Sequence, residues 1–135
     1  MGFLIDTCIW IDVERGLIAP ADVTRYTGED PVFISPVSLA ELAFGAEMAK
    51  NEQIRQKRLA SLDRLRKKPF VIIDENTGWI FGRLAAYLRK EGRDHRYRVQ
   101  DLWLASQAIQ NGLTLLTGNE KDFKGIPGLN LVIYT

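Results

Sequence analysis

Gly2-Phe3-Leu4-Ile5-Asp6-Thr7 decides how the chain is read. Three consecutive apolar residues form a short run without alternation, the pattern of a strand buried on both faces. The run stops on a carboxylate. Open α/β sheets build their sites in the crevice outside the carboxyl ends of such strands. Asp6 therefore has two readings: a site residue, or a cap accepting a backbone N–H of the helix that follows.

Working outward, the chain alternates strands with helices. Thr7–Arg15 reads as a short helix stopped by Gly16, and Ala19–Thr27 as a short helix or a surface loop. Pro31–Ile34 is a second apolar strand. Ser35-Pro36 starts a helix with a capping residue and Pro at the first helical position, running to about Lys50. A turn near Asn51 leads to another helix reaching about Lys68. Pro69–Ile73 reads as a third strand ended by Asp74. Thr77–Glu91 is helical with Gly92 as its stop, and a polar loop, Arg93–Arg98, leads into a helix over Val99–Asn111. Leu113–Leu116 is a fourth strand, Thr117–Gly128 a loop with one helical turn, and Leu129–Tyr134 a last strand. That order implies right-handed βαβ units, a mostly parallel sheet and helices on both faces.

The totals set the class. A chain of 135 residues with 46% hydrophobic and 26% charged residues fits one soluble domain, spanning 1–135. A single cysteine, Cys8, excludes an intramolecular disulfide, fits a reducing compartment, and reads as a small core residue. The apolar start lacks a basic flank and ends at Asp6, unlike a signal peptide, and Asp6 stands where an acylation motif needs Ser or Thr. No apolar run reaches membrane-spanning length, so a cytoplasmic protein without membrane contact is expected.

Most acids lie among Lys and Arg and read as solvated. Four do not. Asp6 ends the first strand. Glu41 has Val37, Ser38, Phe44 and Gly45 at helical spacing, with no cation among them. Asp101 shares its stripe with Leu104, Ala105 and Ala108. A dipole-stabilising role for Asp101 would not require that apolar face. Asp122 follows the fourth strand. First-turn helical residues and residues after strands share one edge of a parallel sheet, so all four converge there. Carboxylates gathered in a low dielectric repel and their pKa values rise. A divalent cation relieves that repulsion, and an oxygen-only donor set selects Mg²⁺ or Mn²⁺ over zinc. Such a cation activates water and stabilises a leaving oxygen, so phosphodiester hydrolysis is the chemistry expected.

The charge distribution agrees. Net charge is +1, from 18 Lys+Arg against 17 Asp+Glu, but setting the four acids aside leaves 18 against 13. One basic run covers Arg55, Lys57, Arg58, Arg64, Arg66, Lys67 and Lys68. A second, Arg89, Lys90, Arg93, Arg96 and Arg98, leads to Asp101. Arg93, Arg96 and Arg98 are the candidate phosphate contacts, with Tyr97 as a base-stacking candidate and His95 in at most a minor phosphate-contacting role. Ordinary solvated faces are the competing reading for both runs.

These residues resemble a known family. Leu4-Ile5-Asp6-Thr7, Ser35-Pro36-Val37-Ser38-Leu39-Ala40-Glu41-Leu42, Asp101-Leu102-Trp103-Leu104-Ala105 and Leu116-Thr117-Gly118-Asn119-Glu120-Lys121-Asp122-Phe123 are similar to the four motifs of PIN domains, and more closely of VapC-type toxins. The ending Ile126-Pro127-Gly128-Leu129 is similar too. The resemblance implies a PIN fold with sheet order 3-2-1-4-5 and a Mg²⁺- or Mn²⁺-dependent endoribonuclease. It also implies a homodimer inhibited by a VapB-type antitoxin, with operator DNA reached only through that antitoxin. It makes Asp6, Glu41, Asp101 and Asp122 the catalytic acids, Asp6 and Asp101 the metal ligands, and Thr7, Thr117 and Asn119 supporting residues. Arg98-Val99-Gln100 departs from relatives, which often carry apolar or small residues there. Competing functions are a DNA nuclease of the same fold, a non-catalytic nucleic-acid-binding module, and a phosphoacceptor receiver domain, in which the Glu41 motif has no place.

Overall fold

A computed structural model describes residues 2–93 and 98–135. Its parallel sheet has four strands: β1 (Phe3–Ile5), β2 (Val32–Phe33), β3 (Thr114–Thr117) and β4 (Asn130–Ile133), in the order β2-β1-β3-β4. Phe3 pairs with Val32 on one side and Thr114 on the other, and Ile5 with Leu116. β1 is thus an inner strand. Leu4 and Ile5 have no solvent-accessible surface and point to opposite faces.

Helices cover both faces. Leu4 and Leu115 pack on α5 (Glu75–Lys90) and α6 (Val99–Asn111), through Leu84, Leu88, Leu102, Leu104, Ala105 and Ala108. Ile5 and Leu116 pack on α1 (Thr7–Glu14) and α2 (Pro20–Thr27), through Ile9, Trp10 and Val23. The stretch left open as helix or loop is therefore α2, a helix with Pro20 in its first turn. α3 (Pro36–Glu47) and α4 (Glu52–Leu65) form a helical hairpin, and α7 (Glu120–Phe123) is a single turn after β3. Ser35 caps α3 by accepting the Val37 N–H at 3.0 Å, and Asn51 caps α4 from the Ile54 N–H at 2.9 Å.

The expected third strand, Pro69–Ile73, is not one. It is reduced to an isolated bridge between Phe70 and Ile34, next to the two-residue β2. Counting that bridge, the order remains 3-2-1-4-5 with its third member cut short. Asp74 then caps α5, accepting from the Asn76 and Thr77 N–H groups, so α5 starts two residues earlier than the apolar spacing implied. Where the ladder ends, a side chain replaces a strand. The buried Gln107 Nε2 of α6 donates to the Val71 and Ile72 carbonyls, 3.2 Å each, while its Oε1 accepts from Ser35 Oγ at 2.5 Å.

Candidate active site

Asp6 follows β1 with its backbone N–H on the Leu116 carbonyl, 2.9 Å away, and its side chain is buried. It occupies the N-cap position of α1, yet makes no side-chain cap bond there. Its Oδ2 instead accepts from Thr117 Oγ1 at 2.7 Å and from Cys8 Sγ at 3.2 Å. The cap reading of Asp6 therefore falls. Thr117, at the end of the neighbouring strand, is held in turn by the Asn119 backbone N–H at 3.0 Å. Asn119 supports the site through its backbone.

Glu41 reaches the same edge from α3. Thr7 Oγ1 donates to Glu41 Oε1 at 3.0 Å and lies 2.7 Å from Ser38 Oγ. A hydroxyl carries one proton, so Ser38 donates to Thr7 and Thr7 to Glu41. Asp101 sits half-buried in the first turn of α6, above Leu104, Ala105 and Ala108, which are fully buried. Asp122, on α7, faces Arg98, whose Nη1 is 3.4 Å from its Oδ1.

Electrostatics ties the four acids into one site. Burial raises the pKa of Asp6 above its ordinary value despite the two hydrogen bonds on Oδ2, and Asp122 adds to the rise. Glu41 is raised by burial and by Asp6, against the hydrogen bond from Thr7. Asp101 is pushed up to about 7, first by burial, then by the charges of Asp6, Asp122 and Glu41, with Arg98 opposing. The acids share a field without being gathered on one point. Among the described residues, no three His, Cys, Asp or Glu side chains are arranged to hold a metal ion.

Two contributors escaped the motifs. Cys8 is a hydrogen-bond donor to Asp6, not merely core, and its thiol is pushed up to about 12 by burial and by that carboxylate, which keeps the proton in place. Nothing in the spacing signals this. Ser38 is three residues before Glu41 on the same helical face, a signal legible in principle.

The basic residues fare differently. Arg93 Nη1 donates to the Lys124 carbonyl at 2.9 Å and Arg98 Nη1 to the Lys121 carbonyl at 3.1 Å, so both guanidinium groups are engaged with the chain itself. His95, Arg96 and Tyr97 lie outside the described residues. On α4, Arg55 pairs with Glu47 and Glu52, and Arg58 with Glu14, so part of that run is neutralised. Beside Glu41, a cavity of about 290 Å³ opens between α1, α3 and α4, lined by Trp10, Leu42, Leu62 and Leu65 among others. The buried Trp10 Nε1 has no hydrogen-bond partner among the described residues.

Comparison with known proteins supplies the family. The model of the PIN domain family matches residues 3–129. The chain is 34% identical to a protein named Ribonuclease VapC1 of Rickettsia felis, over 98% of this chain and 96% of that one. It is 33% identical to a Ribonuclease VapC of Rickettsia bellii, with the same coverage. The crystal structure of VapBC2 from Rickettsia felis, bound to a promoter DNA fragment, contains a chain that superposes with a TM-score of 0.84 at 25% identity, over 100% of both chains. A family model covering nearly the whole chain, and relatives matched over almost their full length, show that the chain belongs to the PIN domain family, among the VapC-type proteins.

Proposed function

We propose that this protein is a Mg²⁺- or Mn²⁺-dependent endoribonuclease, the toxin of a VapBC-type toxin–antitoxin pair. One observation carries the reading. Burial, together with the charges of Asp6, Asp122 and Glu41 from three other segments, pushes Asp101 up to about 7. The named relatives are ribonucleases, which supports RNA as the substrate class.

The donor set suits a hard divalent cation: all oxygen, partly buried, with like charges that a cation would relieve. Asp6 and Asp101 are the residues to hold it. Thr117 and Cys8 both donate to Asp6 Oδ2 and fix the carboxylate's orientation. Glu41 is fixed by the relay from Ser38 through Thr7. A bound cation of this kind lowers the pKa of a water and stabilises the departing oxygen of a phosphodiester. Asp101 must release its proton to act as a ligand, so metal affinity rises with pH toward neutrality and binding liberates protons.

A VapB-type antitoxin is the expected partner, since solved relatives are complexes of that type. The apolar cavity beside Glu41 supports a partner segment seated next to the acids. A homodimer and contact with operator DNA only through the antitoxin complete the proposal. Among the described residues no helix is long and apolar enough to cross a membrane.

The test is cleavage of matched RNA and DNA strands with Mn²⁺, Mg²⁺ or chelator. RNA cleavage that needs the metal is expected. Preference for DNA would replace the substrate, and absence of any cleavage with Mn²⁺ would leave a nucleic-acid-binding module.

A further inference from the structure

The connection between α5 and α6 has an arginine at each described end, and both reach the same short helix. Arg93 Nη1 donates to the carbonyl of Lys124, at the carboxyl end of α7. Arg98 Nη1 donates to the carbonyl of Lys121 and pairs with Asp122 Oδ1. α7 is one turn, anchored by the buried Phe123. A single turn leaves its last carbonyls without helical partners, and cations favour that end. Gly125 follows directly, and its φ of +79° suits glycine at the turn that ends α7.

We infer that Arg93 and Arg98 form a two-point clamp on α7, and that Arg98 is a positioning residue that aims the Asp122 carboxylate at Asp6 and Asp101, not a contact to substrate phosphate. The inference rests on the proposed role of Asp122 among the catalytic acids. The planar guanidinium suits the task, because it donates to a carbonyl and a carboxylate in one fixed geometry, whereas an ammonium is a point charge on a flexible stem. Arg93 holds the far end of the turn and touches no acid of the site.

The variants are Arg98→Ala, Arg98→Lys and Arg93→Ala. The readouts are amide hydrogen exchange at 120–124, kcat and KM with Mn²⁺, and RNA affinity in chelator at several salt concentrations. A clamp predicts faster exchange of the α7 amides in all three variants. It predicts a loss of kcat of about tenfold or more for Arg98→Ala, the scale of an orienting contact around a metal site. Arg98→Lys recovers only part of that loss, and Arg93→Ala loses less. KM, chelator RNA affinity and the salt slope stay at wild-type values. A phosphate contact gives the opposite pattern: Arg98→Ala weakens RNA binding, flattens the salt slope by about 0.7, and Arg98→Lys restores both. That pattern, or unchanged α7 exchange, overturns the clamp. If the wild type cleaves no RNA, the nuclease proposal falls, and the exchange measurement still decides on the clamp by itself.

Discussion

Two polar clusters join the same pair of helices, and they are built on opposite rules. At one, Ser35 at the start of α3 meets Gln107 of α6. Ser35 Oγ accepts the Val37 N–H and donates to Gln107 Oε1, and Gln107 Nε2 serves the Val71 and Ile72 carbonyls. Both side chains are fully buried, neutral and fully bonded. At the other, Glu41 of α3 and Asp101 of α6 face Asp6 and Asp122. That cluster carries charge, and burial and like-charge repulsion raise Asp6, Glu41 and Asp101 above their ordinary values. Saturated polar clusters rigidify a core. An unsaturated cluster of one sign stores unfavourable energy, as functional sites commonly do. The first cluster thus holds in register the two helices that the second pushes apart.

The contrast breaks most sharply at the acids. Asp101→Asn should lower RNA cleavage by about two orders of magnitude or more, the scale of losing one preorganised charged group, while leaving the fold intact by circular dichroism. Unchanged cleavage would remove Asp101 from the site. The neutral cluster should respond in stability. Ser35→Ala removes a helix cap and unpairs Gln107 Oε1, a loss of about 2 kcal/mol in urea unfolding with an unchanged slope. Asp101→Asn should not destabilise, so a double comparison separates scaffold from site.

Metal supplies a finer test. At a hundred times its dissociation constant, Mn²⁺ should stabilise the folded state by about 2.7 kcal/mol, read as a higher Tm. Asp6→Asn and Ser35→Ala should differ here, the first losing the shift and the second keeping it. The last test is in pH. With Asp101 near 7 when folded and at its ordinary 3.8 when unfolded, the unfolded chain binds fewer protons between those values. Stability without metal therefore falls as pH rises from about 4 to about 7 and then levels off. Asp6 and Glu41 act in the same direction. Asp101→Asn should flatten that slope in chelator, and a slope of the same size in the variant would detach Asp101 from the coupled field.

Much of the site was legible because its residues broke local expectations. A buried strand ending in Asp6, Glu41 without a nearby cation, and Asp101 on an apolar stripe each conflict with the ordinary placement of a carboxylate. Their common edge follows from the alternation of strands and helices. Pro69–Ile73 was misread because an apolar, β-branched run need be neither paired nor buried: only Val71 is buried, and Ile72 and Ile73 are exposed. Its neighbour β2 spans only two residues, and the Gln107 amide takes the carbonyls a strand would have used. Cys8 packs against the core as expected, but its bond to Asp6 was not legible, because the thiol meets that carboxylate only in the fold.

The sequence by itself determined the α/β class and singled out four carboxylates in unusual surroundings, since hydrophobic periodicity and chemical type are properties of the chain. Tertiary structure alone decided which atoms face each other. Thr117 and Cys8 share one oxygen of Asp6, Ser38 steadies Glu41 through Thr7, and Arg93 and Arg98 hold α7 rather than stand free in solvent. The reason is physical: a hydrogen bond or a pKa shift depends on distances and burial between residues as far as 111 positions apart in the chain, and no local pattern encodes them.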